Sequence, residues 1–469
     1  MELCNMTEVI DAPVELSDEP VAGMANASPV ESARSALLLA VFNAMDRLQI
    51  PYCVTHGYQT LANVIASDVD MIVRREDLPA IQAALCSLPG GARLVQWIAD
   101  GACWAAVAAD GEPGRPAIVQ LHFSPAFELG ERVFYPASEI LATRRRFGEF
   151  WIPTAPVEFA CICINRTTKG AFKPAHINQL SALLKQDPQG CTSELKRFFE
   201  ADAADGLIKR LRIGDPLGMP SSPMWLPKAP AALNTPAARL ARAAGKWKRR
   251  LSRWIRPQNG LHIVFLGPDG VGKSTVIDAV RDAVLPAFLR TDYMTFAPSL
   301  IPGPLQPNKE TPHQLPPRSF ASSMLKVAWW SLCYTAGYYA SVRPAAARSS
   351  LILNHRYLLD ALVDPKRYRY SGPQFPMKLI WLVAPKPDVI ILLDAPAEVI
   401  QARKREVPAA ETARQRHEYR RAIAGIDYAH VVDTNRPLPV VAQETIDIFF
   451  EVMARRSRPS GVEKSGGHR

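Results

Sequence analysis

Among its eight cysteines this 469-residue chain has no C-x-x-C pair, so the ligand spacing of a structural zinc site is missing. Cys161 and Cys163 stand one residue apart inside an apolar run, which suits buried thiols, and a reducing, cytoplasmic setting is expected. No N-terminal segment joins a basic start to an apolar core, so no secretory signal is expected. Long apolar runs are lacking too. The strongest, Met324 to Val342, contains Lys326, several tyrosines and Gly337; it is short for a membrane span and reads as a largely buried helix. No internal repeat is evident. The first thirty residues hold acids but no Lys or Arg, so the formal charge of +10 is uneven: Ala238 to Arg256 and the tail after Met453 are basic. Such clusters suit anionic ligands or surfaces and serve solubility equally well; no nucleic-acid partner is expected.

The most informative stretch is Gly267-Pro-Asp-Gly-Val-Gly-Lys-Ser-Thr275, entered from the apolar run Leu261 to Leu266. It matches G-x-x-x-x-G-K-[ST] in full. A strand feeding a glycine-rich turn lets successive backbone N–H groups face inward, and the positive end of the next helix adds to them, so the loop can hold a polyphosphate. ATP and Mg²⁺ are the expected ligands. Gly267, Asp269, Gly270, Val271, Gly272, Lys273, Ser274 and Thr275 form the binding loop; Lys273 reaches the terminal phosphates and the Ser274 hydroxyl holds the metal.

At this length two domains plus tails are expected. Residues 1–30, with Pro13, Pro20 and Pro29 among acids and small residues, read as a disordered leader. Residues 31–210 read as an α+β unit, with helices at Ser32–Leu48, Gln59–Ile65, Leu78–Leu88, Val157–Arg166 and Ala175–Lys185 and strands at Tyr52–Thr55 and Val69–Val73. Three further apolar runs near Arg93–Ile98, Cys103–Ala108 and Ala117–Phe123 complete it. Residues 211–259 join a Pro-, Ser- and Ala-rich linker to a basic helix in which Leu240, Ala244, Trp247, Leu251 and Trp254 share one face. That helix suits an anionic membrane surface; the commoner arrangement has both Trp side chains docked on a domain and the basic residues solvated. Residues 260–454 alternate strands at His262–Leu266, Ser350–Asn354, Val389–Leu393 and His430–Val432 with helices, which indicates a doubly covered parallel sheet. Residues 455–469 read as a disordered basic tail.

Arg343-Pro-Ala-Ala-Ala-Arg, running into a strand closed by Asn354-His-Arg-Tyr357, resembles thymidylate kinases, where R-P-A-L-A-R-G leads to a strand ending in Asp-Arg-Tyr. Asp269 within the loop and Leu392-Leu-Asp-Ala-Pro-Ala-Glu-Val-Ile-Gln-Ala-Arg-Lys404 are similar to the same family. The resemblance covers roughly residues 260 to 450 and implies a P-loop NTPase fold and a nucleotide kinase activity, the transfer of the ATP γ-phosphate to a nucleoside monophosphate, dTMP-like, or a related metabolite. It implies that Asp269 bonds an acceptor hydroxyl, that Arg356 meets an acceptor phosphate, and that there is a mobile basic lid, for which Arg403, Lys404, Arg405, Arg414 and Arg416, followed by Arg420 and Arg421, are the candidates. Two features depart from it. His355 replaces the acid before Arg356; it would act as a base near neutral pH, with Asp360, Asp364 or, best placed, Asp394 supplying the acid near the metal. The Arg-Glu-Pro-Gly signature is absent, so thymine recognition does not transfer.

Thr55-His-Gly-Tyr58 followed by Asp68-Val-Asp70 resembles the metal-binding signature of minimal nucleotidyltransferases, which implies that Asp68 and Asp70 share a metal on one strand face. The third family acid falls at Gln120 on the strand Ile118–Phe123, and an amide neither binds Mg²⁺ as a carboxylate does nor accepts a proton. The whole layout is similar to two-domain proteins associated with bacterial surface-polysaccharide biosynthesis. An enzyme and a nucleotide-binding regulator or scaffold both fit, as does self-association, since the kinases it resembles are dimers.

Overall fold

The computed structural model describes residues 28–61, 65, 68–100, 102–213, 226–255, 259–298, 316–405 and 407–459. The leader expected for 1–30, apart from its last three residues, and the tail from 460 onward lie outside the described residues, as does 214–225 of the expected linker.

Helix α1 (Pro29–Arg47) starts at a reciprocal cap between Ser28 and Glu31, and lays Leu37, Leu38, Val41, Phe42 and Met45 on a five-stranded sheet. The sheet comprises β1 (Tyr52–Val54), β2 (Val69–Val73), β3 (Arg93–Asp100), β4 (Ala102–Glu112) and β5 (Arg115–Ser124), ordered β1-β2-β5-β4-β3; helix α2 (Leu78–Cys86) lies between β2 and β3 in sequence. Only β2 and β5 pair in parallel. Period-2 alternation decides the faces: Val119, Leu121 and Phe123 of β5 point to the α1 core, and Ile118 points the other way. The helix expected over Gln59–Ile65 begins as a single 3₁₀ turn, Tyr58–Thr60. Helices α3 (Ala155–Lys169), α4 (Pro174–Gln186), α5 (Pro188–Lys196) and α6 (Ala201–Arg212) enclose a separate apolar cluster that contains Cys161, Cys163 and Cys191 as buried thiols.

Helix α7 (Pro236–Ile255) leads to the second sheet, all parallel. Its elements are β6 (Leu261–Leu266), α8 (Lys273–Val284), β7 (Arg290–Thr295), α9 (Phe320–Leu332), β8 (Ser350–His355), α10 (Leu358–Val363), α11 (Phe375–Val383), β9 (Val389–Asp394), α12 (Ala397–Arg403), α13 (Ala409–Ile423), β10 (Ala429–Asp433) and α14 (Leu438–Ser457). The strand order is β7-β8-β6-β9-β10, which puts β6 in the centre. Leu261, Ile263 and Phe265 pack on α8 and α14, while Val264 and Leu266 face Trp330, Tyr334, Tyr357 and Tyr419, so both faces are covered. β7 escapes sequence reading because Arg290-Thr-Asp-Tyr-Met-Thr295 is an edge strand with no buried residue.

The two sheets share a core. Val95, Ala106, Ala108 and Ile118, on the face of the first sheet away from α1, join Phe265, Ile277, Val280, Phe449 and Phe450 around α8 and α14. Polar seams close its edges: Gln96 Nε2 donates to Asn259 O (2.7 Å), Gln120 Nε2 to Pro286 O (2.7 Å), Gln82 Nε2 to Ser457 O (2.8 Å), and Gly114 N to Gln443 Oε1 (3.0 Å).

Two expectations about helices are corrected. The run Met324–Val342 forms α9 and a following π-helix, Cys333–Val342, but it is not largely buried: Leu325, Trp329, Leu332 and Tyr339 are exposed. The Trp side chains of α7 are not buried on a domain: Trp247 is 70% exposed, and Trp254, whose ring meets the Arg343 guanidinium, is 49% exposed.

Phe449 is fully buried in the shared core, edge-on to Phe265 at 6.3 Å. Phe449→Ala is expected to cost about 3–5 kcal/mol. Hydrogen exchange during thermal unfolding is expected to show β4 and β6 losing protection together; separate transitions would mean that the two sheets are independent.

Candidate functional site

β6 ends at Leu266 and the chain turns at Gly267 (φ 142°), where any side chain would run into the Leu393 carbonyl of the neighbouring strand. Gly270 and Gly272 also take left-handed angles, and Val271 is buried in the shared core. Val276 N bonds Gly272 O (3.1 Å) as α8 begins, with Ser274 and Thr275 exposed at its first turn. Lys273 is buried. Its Nζ donates to Gly267 O (2.7 Å) and Pro268 O (2.9 Å) and lies 3.6 Å from Asp269. Burial, with the Arg356 charge adding to it, lowers its pKa to about 8.

Asp269 gathers the rest of the cluster. Arg356 and Arg367 both make close ion pairs with its carboxylate, one on each oxygen. Arg356 leaves β8 at φ 77°, a left-handed angle that costs a non-glycine residue about 1–3 kcal/mol, and its N–H is tied to Phe265 O (3.1 Å). That angle sends the guanidinium back over the loop, where it is buried and also lies 3.8 Å from Asp360. Sequence reading gave Arg367 no role. Its signal is the basic Asp364-Pro-Lys-Arg-Tyr-Arg-Tyr370 segment, which the fold returns to the loop.

The acids proposed beside the metal are engaged elsewhere. Asp360 is buried and accepts from Tyr357 N (2.6 Å) and Tyr419 Oη (2.7 Å), and Asp364 accepts from Gln415 Nε2 (3.2 Å) and Arg367 N (3.2 Å). Asp394 accepts from Arg416 Nε (2.7 Å) and Arg420 Nε (2.9 Å) of α13, one on each oxygen. Burial alone would raise its pKa, but those arginines outweigh it and hold the carboxyl below its ordinary value. A metal at Asp394 would have to displace both. His355 stacks near Tyr293 with ring centroids 6.4 Å apart; burial, then the charges of Lys273 and Arg356, push its pKa to about 3. The expectation of a base titrating near neutral pH is therefore corrected: in the free protein burial and these charges hold His355 neutral and make it a weak base.

Arg403 lies against the outside of the loop, donating to Val271 O (3.3 Å) and to Thr434 O (2.9 Å), so it joins the loop to the turn after β10. Arg414 is turned away, onto Glu411 and Val363 O. Thus Lys273, Arg356 and Arg367 converge with Asp269, and Arg403 flanks them.

In the first sheet Asp70 sits opposite His122 in the β2–β5 register, not opposite Gln120. Asp70 Oδ1 lies 2.7 Å from His122 Nδ1 and Oδ2 3.2 Å from His56 Nε2. Asp68, Asp70 and His122 each offer a ligand atom, all within 4.8 Å of one another. The hydrogen bond that His122 donates to Asp70 is the largest influence raising the His122 pKa. Gln120, two residues away on the same face, is used in the seam with Pro286. Tyr58 is buried with its hydroxyl on both oxygens of Glu158 (3.0 and 2.9 Å), and Gln179 donates to the same carboxylate (2.6 Å). Burial raises the Glu158 pKa to about 7.

Two pH dependences follow from these groups. Above about pH 8 the free protein holds Lys273 neutral, and an incoming polyphosphate restores its charge, so calorimetry in buffers of different ionisation enthalpy is expected to show proton uptake on ATP binding there. Binding without uptake would mean that Lys273 does not meet the phosphates. For Glu158 the folded pKa lies above the ordinary 4.5, so stability is full below that value and falls as pH rises through about 7, by about 3 kcal/mol from this group. Glu158→Gln is expected to flatten that fall in pH-dependent denaturation; an unchanged slope would count against it.

No family profile matches the chain. It is similar to the thymidylate kinase of Thermomicrobium roseum, 31% identical over 219 residues, an overlap spanning 42% of this chain and 97% of that protein. Among solved structures, the thymidylate kinase from Ehrlichia chaffeensis is 13% identical with a TM-score of 0.30, covering 40% of this chain and 98% of that one. Over the part of its length aligned with the Thermomicrobium protein, the chain belongs to the thymidylate kinase family.

Proposed function

We propose that this chain is an ATP- and Mg²⁺-dependent phosphotransferase that moves the γ-phosphate to a nucleoside monophosphate, dTMP-like, or a related phosphorylated metabolite. The observation that supports this most is the convergence of Lys273, Arg356 and Arg367 on Asp269 at the mouth of a glycine-rich loop. Phosphoryl transfer requires positive charge arranged around the moving group before reaction. In this reading the loop N–H groups and Lys273 hold the triphosphate, Arg356 and Arg367 hold the anionic end of the acceptor, and Asp269, released by them, receives an acceptor hydroxyl. Arg403 keeps the loop in place from outside. The exposed Ser274 hydroxyl fits as the metal's protein ligand, and the metal when bound neutralises phosphate charge. Asp394, with both oxygens on arginines, serves as the anchor of α13.

The units 31–210 and 260–454 are taken as an α+β domain and a kinase domain joined through 211–259. In the first, Asp68, Asp70 and His122 suit a divalent cation, and a histidine at the third position supports binding over nucleotidyl transfer. A second reading, a nucleotide-binding regulator or scaffold in surface-polysaccharide biosynthesis, is favoured by one observation: His355, its pKa lowered by burial and by the charges of Lys273 and Arg356, stands where thymidylate kinases have an acid.

The intact protein is to be supplied with ATP, Mg²⁺ and a panel of nucleoside monophosphates and sugar phosphates, with ADP release as readout. One acceptor is expected to stimulate turnover, and Lys273→Ala to lower it on the order of 100-fold or more without unfolding the protein. Arg367→Ala is expected to act chiefly on the KM for the acceptor. ATP binding with no stimulation by any acceptor would favour the regulator.

A further inference from the structure

Helix α7 is built inside out. Its sequence holds seven Lys or Arg and no acid, and none of its residues is buried. At about 100° per residue, Leu240, Ala244, Trp247, Leu251 and Trp254 fall within an arc of about 80°. All five are exposed, with Leu240 at 72% and Trp247 at 70%. Arg242, Gly245, Arg249 and Arg253 lie on the opposite side, about 180° round, and all four are half-buried, as are Ala238 on that side and Ala243 beside the stripe. A helix that packs by its apolar stripe shows the reverse.

The orientation is clamped at both ends. Near the start, the Arg242 guanidinium donates to Leu233 O (3.1 Å), Glu131 O (3.2 Å) and Asn234 Oδ1 (3.1 Å). At the other end Arg343, which precedes β8, donates to Trp254 O (3.1 Å) and to Ile255 O, and its guanidinium lies 5.8 Å from the Trp254 ring. Contacts to both halves of the protein therefore hold the basic side inward and turn the Trp and Leu side chains to solvent.

From this geometry we propose that α7 is a docking surface for an anionic lipid bilayer, an inference independent of the kinase reading. Arg239, Lys246 and Arg250 flank the apolar stripe on one side and Lys248 on the other, and a plane of anionic headgroups meets both flanks at once. Trp247 and Trp254 have the amphipathic rings that settle at headgroup depth, with Leu240 and Leu251 below them. Among the described residues no helix is long and apolar enough to cross a membrane, so attachment is peripheral.

The test uses the intact protein and sedimentation with vesicles of phosphatidylcholine, with and without phosphatidylglycerol. Binding is expected only with phosphatidylglycerol and is expected to weaken as salt rises. The double substitutions Trp247→Ser/Leu251→Ser and Lys246→Glu/Arg250→Glu are each expected to reduce partitioning roughly tenfold or more, with circular dichroism and ATP binding unchanged. Equal binding to both vesicles, no binding, or binding that survives both variants overturns the proposal. Capture of polyglutamate by a protein that ignores the vesicles overturns it in favour of an acidic protein partner.

Discussion

Asp269 is the point on which the site is balanced. One carboxylate, itself mostly buried, faces Lys273, Arg356 and Arg367, with Asp360 the next acid to Arg356. Buried charge is tolerated only when paired, and removing one partner leaves the others uncompensated. The cluster therefore fixes several elements at once: the bend at Gly267, the left-handed Arg356 at the end of β8, and the return of the Asp364–Tyr370 segment toward the loop. Phosphate oxygens offer the same arginines and lysine equivalent acceptors, so a set of charges that closes on itself is also one that can be handed to an anion.

The kinase sheet does not stand apart from the first sheet. α8, which begins at Lys273, packs through Ile277 and Val280 into the core that also holds Ala106, Ala108 and Ile118 of the first sheet. A change in the seating of α8 is thus felt at β4 and β5, and β5 carries His122, which faces Asp70 of the neighbouring β2. Gln120 contributes to that seam, which accounts for an amide at a place where an acid was sought.

What could be read from the sequence was whatever depends on local spacing. The loop Gly267–Thr275, the buried strands β6, β8 and β9, and helix α1 were all legible, since glycine spacing and apolar period suffice for them. The polar edge strand β7 was not, because its residues have no apolar pattern to betray it. Residues that meet through register or loop return were hidden as well. The alternation in β5 shows Gln120 and His122 on one face, but only the parallel pairing with β2 places His122 against Asp70. Arg367 is separated from Asp269 by almost a hundred residues and meets it only through the sheet. In α7 the stripe was visible, yet which side faces the protein is decided by the Arg242 and Arg343 clamps.

The most direct measurement is a crystal structure of the intact protein with a non-hydrolysable ATP analogue and Mg²⁺. The phosphates should lie in the bend at Gly267–Thr275, with Lys273 Nζ moved from the Gly267 and Pro268 carbonyls onto a terminal phosphate oxygen. A nucleotide seated elsewhere, or Lys273 still bonded to those carbonyls beside a bound triphosphate, would contradict the reading of this loop as the ATP site.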